Sequence, residues 1–197
     1  MKEFIIATNN KHKVVEIERI LSPLGIKAVT AGERGIDLGD VVEDGKTFAE
    51  NAAIKAKHAF ALCKCPVIAD DSGLCVDALG GRPGVYTARY GGENAGSREK
   101  IALLIEEMKD VPKEDRSAHF TCAVCCILDE ATVIEIEGRC EGSIGFKPDG
   151  DGGFGYDPIF TVDGRSFASL SPEEKDRYSH RGSALHKLRE ALAQHIS

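Results

Sequence analysis

The chain has 197 residues, a formal net charge of −7 and a hydrophobic fraction of 42%, which is ordinary for a globular protein. A chain of this length buries roughly 70% of its unfolded surface, so it needs no disulfide or metal ion to form a core. No apolar run approaches the roughly 20 residues of a membrane span, and the acidic balance argues against broad binding to nucleic acid or anionic membranes. The opening MKEFIIATNNKHK has an apolar segment too short for a signal peptide, which predicts a cytoplasmic protein.

Seven cysteines cannot all pair within one chain, which also favours a reducing compartment. Cys122, Cys125 and Cys126 have the spacing of half a zinc site. They lie in the apolar run FTCAVCCIL, however, and we expect them to be buried as small apolar side chains.

The first half of the chain predicts alternating strands and helices within a single domain, 1–197. A buried strand at 3–8 precedes a helix at Lys11–Leu21, whose apolar residues recur at spacings of three and four. Residues 30–46 are rich in glycine and acidic residues and are predicted to form a loop. Thr47 and Glu50 form a capping box for a helix over 48–62, and a short strand at 66–70 is followed by a turn at DSG.

The second half adds an antiparallel hairpin and a glycine-rich loop. The predicted loops are 80–92, the turn 129–131, the six-glycine segment 142–157 and the Asp163-Gly164 turn. The predicted strands are 119–128, 132–139 and 158–162. The predicted helices are 97–108, capped by Ser97, and 183–195. This mixture favours an α/β or α+β sheet over a pure series of parallel βαβ units.

The loop between the first strand and the first helix carries Thr8-Asn9-Asn10, and Lys13 follows one turn inside the helix. Backbone N–H groups at a helix N-terminus bind anions, and a nearby lysine adds a point charge that suits phosphate. The run lacks GxxxxGK[ST] and GxGxxG, so it is neither a Walker A loop nor a dinucleotide fingerprint. An anion site and an ordinary Asn-capped turn both stay open here.

Asp70 and Asp71 end a buried strand. Adjacent strand residues point to opposite sides, so one of these carboxylates could face a ligand. Mg²⁺ prefers carboxylate and water oxygens, and Glu43 or Asp44 in the upstream loop could supply a second carboxylate. The alternative is an Asx turn that binds nothing.

The remaining candidates are aromatic and basic. Phe154 and Tyr156 in the run GDGGFGYD could flank a planar base, although a tight turn with both rings in the core is the simpler alternative. A basic group, comprising Lys175, His180 and Arg181, precedes the last predicted helix, where the helix dipole disfavours positive charge unless an anion or base is bound. Lys55 shares a helix face with Asn51 and is either a third phosphate-binding charge or a surface lysine.

Together these residues describe a phosphate cradle, carboxylates for Mg²⁺, an aromatic loop for a base and donors for its edge, as in a hydrolytic nucleotide site. The chain resembles the inosine triphosphate pyrophosphatase family, also called XTP/dITP diphosphatases. The resemblance rests on five runs, in the family's order, that together cover nearly the whole chain: ATNNKHKVVEI, TFAENAAIKAKHA, IADDSGLCVDALGGRPGVYTARY, GGFGYDPIF and SPEEKDRYSHRG.

The resemblance implies an α/β fold with an elongated mixed β-sheet flanked by helices, arranged as two lobes with a central active-site cleft. It implies a Mg²⁺-dependent homodimer that hydrolyses ITP, dITP and XTP to the monophosphate and pyrophosphate, which clears deaminated purines from the nucleotide pool. Asp71 would be the catalytic carboxylate and, with Glu43, a Mg²⁺ ligand. The residues implied to bind the triphosphate and the nucleotide are Thr8, Asn9, Asn10, Lys11, His12, Lys13, Lys55, Ser72, Phe154, Gly155, Tyr156, Asp157, Lys175, His180 and Arg181.

Three other functions compete with this one. A related septum-inhibitor type of nucleotide pyrophosphatase acts on other modified or pyrimidine nucleotides, but we do not expect it to carry the SHRG and GGFGYDP runs together. A catalytically silent nucleotide-binding module is disfavoured by the intact Asp70, Asp71, Glu43 and lysines. A nucleic-acid partner is disfavoured by the net charge of −7, and no membrane partner is expected.

Overall fold

The structure is a computed structural model that describes residues 2–92 and 94–195. Within those ranges the chain forms seven strands, β1 (Lys2–Ile6), β2 (Ile26–Thr30), β3 (Val67–Val76), β4 (Ser117–Ile127), β5 (Val133–Ile144), β6 (Phe160–Val162) and β7 (Arg165–Ser166). The same ranges contain five α-helices, α1 (Lys11–Leu21), α2 (Phe48–Cys63), α3 (Ser97–Glu107), α4 (Pro172–Tyr178) and α5 (His180–Ala193).

The described strands form one seven-stranded sheet in the order β2-β1-β3-β4-β5-β6-β7. β1 runs parallel to β2, with Lys2 opposite Ile26, and parallel to β3, with Ile5 opposite Val67. β6 is antiparallel to both β5 and β7. The combination of parallel and antiparallel pairs confirms the predicted mixed α/β sheet.

The chain divides into two compact units, which agrees with the two lobes that the resemblance implied. The first comprises the described residues up to Asp71 together with 122–138 and those from Arg181 onward, and the second comprises the described residues of 72–121 and 139–180. The divisions fall inside β3, β4 and β5 and at the start of α5.

In the first unit, helices cover both faces of the sheet. Successive side chains of β1 point to opposite faces, and each face buries its apolar side chains against helices. Phe4 and Ile6 pack in one core cluster with apolar residues of α1 and α5. Ile5 packs in a second cluster with the alanines of α2, among them Ala56 and Ala59. Alanine has no bulk beyond Cβ, so α2 lies close to the sheet and its polar residues are held near the strands.

The core of the second unit joins β3 and β4 to α3 and to the segment that follows β5. Leu104 and Met108 pack there with Phe160 and Phe167. The guanidinium of Arg116, 1% exposed, donates to four backbone carbonyls, those of Met108, Val111, Ile144 and Gly145. Arg116 therefore fixes the start of the glycine-rich segment that follows β5.

Several predicted boundaries were wrong. The predicted turn at DSG is instead the middle of β3, which continues to Val76. The N-cap of α3 is Gly96, whose N–H donates to Glu99, and Ser97 is the first helical residue. The last helix begins at His180, so His180 and Arg181 lie in its first turn. β2 and α4 were not predicted at all, although the capping box at Thr47 is confirmed.

All seven cysteines are free thiols, and Cys122, Cys125 and Cys126 are buried as predicted. Over residues 2–92 and 94–195, each helix is too short or too polar to cross a membrane.

Candidate active site

In the first unit, Asp71 on β3 lies at the centre of a polar cluster. Its Oδ1 accepts a hydrogen bond from Lys55 Nζ at 3.1 Å, and its Oδ2 accepts one from Asn51 Nδ2 at 3.2 Å. The same Lys55 ammonium lies 3.0 Å from Glu43 Oε2. The cluster thus contains two predicted metal ligands and one predicted phosphate-binding lysine, and α2 places Lys55 one turn after Asn51.

The electrostatics of this cluster fit a proton acceptor beside a fixed positive charge. Burial raises the pKa of Asp71 above its ordinary value, although the charge of Lys55 opposes that shift. Burial lowers the pKa of Lys55, but Asp71, Asp70 and Glu43 outweigh it and raise that pKa. Lys55 therefore stays charged, while Asp71 accepts a proton more readily than an exposed aspartate does.

Asp70 points away from this cluster into a second, buried network of the first unit. Its Oδ2 lies 2.9 Å from Lys13 Nζ and accepts from Nε and Nη2 of Arg181, each at 3.3 Å. Nη1 of Arg181 donates to Glu16 Oε2 at 2.8 Å. Asp70, Arg181 and Glu16 are all buried.

Charge pairing decides the protonation states in this network. Burial alone would raise the pKa of Asp70, but Lys13 and Arg181 outweigh it and hold that pKa well below its ordinary value. Burial opposes the charge of Arg181, yet Asp70 and Glu16 raise its pKa. Oδ1 of Asp70 is buried and makes no hydrogen bond to any residue that the structure describes, so this network contains one unpaired acceptor.

The predicted anion site at the start of α1 has a helix cap of the expected kind. Asn10 is the N-cap, and its side chain accepts from the backbone N–H of His12 at 3.0 Å. Thr8 Oγ1 accepts from the backbone N–H of Asn10 at 3.1 Å. Asn9, Lys11 and His12 are exposed. The first turn of α1 contains no acidic residue, which suits an anionic ligand.

In the second unit, Asp157 organises the predicted base-binding loop. Its Oδ2 accepts from the backbone N–H of Phe154 at 2.7 Å and from Lys175 Nζ at 2.7 Å. The Lys175 ammonium also lies 4.5 Å from the centre of the Phe154 ring. Asp157 thereby holds the Phe154 ring and the Lys175 ammonium next to each other.

Gly153 makes this arrangement possible, because a Cβ at that position would lie 2.1 Å from Asp157 Oδ2. Its φ of +70° is also unfavourable for other residues. We expect Gly153→Ala to lower the free energy of unfolding by about 2 kcal/mol. Gly155→Ala is the matched control, since Gly155 has a φ of +62° but open space around it. Urea unfolding of both variants tests this, and equal losses would show that the contact with Asp157 contributes nothing.

The other predicted residues of the second unit have different surroundings. The His180 ring stacks on Phe120, with ring centres 4.5 Å apart and planes 10° apart. Tyr156 is packed in the apolar core of the unit. Ser72 is half-buried on β3, and Gly155 is half-buried in the glycine-rich loop.

The structure therefore brings the predicted residues together in separate groups. Glu43, Lys55 and Asp71 form one group and Lys13 and Arg181 join Asp70 in another, both in the first unit. In the second unit, Phe154, Asp157 and Lys175 form a group of their own.

Asn51 and Glu16 are residues that the sequence reasoning left out of the site. Asn51 was recognised only as a neighbour of Lys55 on one helix face. Glu16 interrupts the apolar stripe of α1 one turn after Lys13, and a charged residue at a core-facing position was the signal available.

Glu43 and Asp71 fit a Mg²⁺ ion that arrives with a polyphosphate. Their hard carboxylate oxygens converge on one ammonium. Across residues 2–92 and 94–195, no three His, Cys, Asp or Glu side chains form a metal cage. Mg²⁺ is commonly held by one or two carboxylates together with substrate phosphates and water, which is the donor set that this cluster offers.

The fold and these groups define a class of protein: an α/β protein whose mixed sheet carries a carboxylate and lysine cluster suited to metal-dependent phosphate chemistry. A model of the Ham1 family matches residues 4–191. The chain belongs to the Ham1 family.

Proteins similar to this chain match nearly its whole length. A protein from Geobacillus kaustophilus (strain HTA426) named dITP/XTP pyrophosphatase is 47% identical over 192 residues, which is 96% of this chain and 94% of that protein. A protein of the same name from Escherichia coli (strain K12) is 45% identical over 196 residues, 98% of each chain. The solved structure of a HAM1 protein from Coxiella burnetii has a TM-score of 0.88 at 40% identity and covers 98% of this chain and 100% of that one. These likenesses confirm the family and the fold predicted from the five sequence runs.

Proposed function

We propose that this chain is a nucleoside triphosphate pyrophosphatase that hydrolyses dITP, XTP and ITP to the monophosphate and pyrophosphate. The observation that carries the proposal is the convergence of Asp71, Lys55 and Glu43 in a chain 45–47% identical to relatives named dITP/XTP pyrophosphatase. ITP is included because it carries the same hypoxanthine base as dITP. Removal of such nucleotides clears deaminated purines from the pool.

The first unit supplies the groups that bind the triphosphate. Lys55 and Lys13 provide positive charge, and the residues at the start of α1 provide backbone and side-chain donors, namely Thr8, Asn9, Asn10, Lys11 and His12. Glu43 and Asp71 would hold Mg²⁺. When bound, that ion would neutralise phosphate charge and favour attack at phosphorus.

Asp71 acts as the general base. Water attacks the α-phosphorus, its proton passes to the Asp71 carboxylate, and the bond between the α-phosphorus and the bridging oxygen to the β-phosphorus breaks. Pyrophosphate leaves with the bridging oxygen. Lys13 and Lys55 stabilise the charge that develops on this leaving group. The contacts of Asp71 support this role, since Lys55 and Asn51 hold its carboxylate in a fixed orientation.

Base recognition is assigned to the residues Ser72, Phe154, Gly155, Tyr156, Asp157, Lys175, His180 and Arg181. Hypoxanthine and xanthine carry a keto oxygen at C6, whereas adenine carries an amino donor there. Donors such as His180 and Arg181 would donate a hydrogen bond to the keto oxygen, whereas in adenine they would face a second donor. A site of this kind discriminates by roughly 10⁴-fold.

The proposal is tested by measuring pyrophosphate and orthophosphate release from dITP, ITP, XTP, ATP, GTP, CTP and UTP, with Mg²⁺ or with EDTA. We expect pyrophosphate from dITP, ITP and XTP alone, and only with Mg²⁺. Preference for a pyrimidine nucleotide would instead identify the septum-inhibitor type. Binding of ITP without turnover would identify a nucleotide-binding module.

Three properties of the enzyme complete the proposal. We infer that the two units work as one domain. We also infer that the enzyme is a homodimer, as the resemblance implies, and light scattering in solution would test the dimer. Seven free cysteines support a cytoplasmic location, because thiols stay reduced there.

A further inference from the structure

Lys55 lies at the point where the two proposed metal ligands meet. Its ammonium is 3.0 Å from Glu43 and 3.1 Å from Asp71, and its side chain is only 13% exposed. A cation bound between these carboxylates must therefore compete with an ammonium that is already there.

The surrounding contacts hold this arrangement in place. Asn51 donates to the second oxygen of Asp71 at 3.2 Å, and its own Oδ1 accepts from the backbone N–H of Gly45 at 2.9 Å. A Cβ on Gly45 would lie 2.6 Å from that Oδ1, so the loop approaches α2 closely. Glu43, two residues before Gly45, is thereby kept within reach of Lys55.

The balance of charge explains why the ammonium persists. Two carboxylates contact Lys55 directly, and Asp70 adds attraction at longer range. Once Lys55 neutralises part of this negative charge, a free divalent ion gains less from binding and still lacks a third protein ligand among the described residues. A triphosphate removes both obstacles to metal binding, since it attracts the lysine away from the carboxylates and supplies further oxygen ligands to the metal.

We propose that Lys55 is a resident counter-ion that replaces the metal in the nucleotide-free protein and makes metal and nucleotide binding cooperative. This inference rests on the proposed function, because the triphosphate is the group that draws Lys55 away from Glu43 and Asp71. By linkage, the metal must improve nucleotide binding by the same factor by which the nucleotide improves metal binding.

The test uses Mn²⁺ alone on nucleotide-free protein at pH 8, with free Mn²⁺ measured by electron paramagnetic resonance. We expect Lys55→Met to bind Mn²⁺ about 10-fold more tightly than the wild type, a factor within the usual range of coupling between sites. Lys55→Gln should bind Mn²⁺ equally tightly, and it replaces the methionine variant if circular dichroism shows that Lys55→Met is unfolded. Lys55→Arg keeps the charge and should bind Mn²⁺ as weakly as the wild type.

Lys57→Met is the matched control, because Lys57 is exposed on the same helix and loses the same charge. Its Mn²⁺ affinity should stay within twofold of the wild type. If the Lys55→Met and Lys55→Gln proteins also stay within twofold, or if Lys57→Met tightens binding equally, Lys55 is not a local competitor of the metal.

Hydrolysis of dITP by the wild type, measured separately, distinguishes the two proposals. Mg²⁺-dependent hydrolysis without tighter Mn²⁺ binding in the Lys55 variants refutes the counter-ion proposal and leaves the proposed function intact. Tighter Mn²⁺ binding without hydrolysis of any nucleotide refutes the proposed function and leaves the counter-ion as a property of the cluster.

Discussion

Asp71→Asn is expected to lower the turnover of dITP by about 10²–10⁴-fold while the fold is retained, which is the range for the loss of a general base. Asparagine has nearly the same size as aspartate and can still accept a hydrogen bond from Lys55. It cannot take a proton from the attacking water. Steady-state pyrophosphate release gives the loss of turnover, and circular dichroism with thermal unfolding verifies the fold.

Asp44→Asn provides the control for loss of a negative charge near this cluster. Asp44 follows Glu43 in the same loop but is exposed, whereas the structure places Glu43 against Lys55. The residue pattern alone did not decide whether Glu43 or Asp44 supplies the second carboxylate. We expect Asp44→Asn to retain wild-type turnover. Activity of Asp71→Asn within a few-fold of the wild type would mean that another group accepts the proton.

The elements that the sequence predicted well are those that local signals determine. Helix α1 spans Lys11–Leu21 as predicted, because its apolar spacing and the polar run before it agree. The capping box at Thr47 and Glu50 forms, and the Asp163-Gly164 turn has both residues at positive φ. Helix α4 carried an equally local signal, a capping box at Ser171 and Glu174 with proline in the first turn, and it could have been predicted.

The extent of β3 depends on residues far away in the sequence. Aspartate, serine and glycine are rare in strands, so DDSG reads locally as a turn. In the folded chain, Asp70 meets Lys13 and Arg181, and Asp71 meets Lys55 and Asn51. These partners offset the cost of burying two carboxylates, and the strand continues through them. The sequence named most of the charged candidates but left out Asn51 and Glu16, and the division of the charges between two networks required the structure.

The second large effect concerns stability rather than turnover. We expect Arg181→Met to lower the free energy of unfolding at pH 7 by about 3–5 kcal/mol, because Asp70 and Glu16 are then buried without their shared cation. Urea unfolding followed by circular dichroism measures the loss. Arg189→Met on the same helix, where no ion pair of this kind is present among the described contacts, should change stability by about 0.5 kcal/mol or less.

The pH dependence of that loss identifies its electrostatic origin. Arg181 helps to keep the pKa of Asp70 below its ordinary value, so the pairing stabilises the wild type above the unfolded pKa and is lost as the pH falls. The variant lacks much of this contribution, so its deficit should stay constant from pH 7 to about pH 4 and shrink below about pH 4, where Asp70 becomes protonated in the unfolded chain. A deficit that stays constant below pH 4 as well would indicate lost packing instead. The substrate preference of a folded Arg181→Met protein tests whether Arg181 also recognises the base. An equal loss of ITP hydrolysis and of residual ATP hydrolysis would show that Arg181 is a positioning residue. A selective loss of ITP hydrolysis would identify Arg181 as a reader of the base.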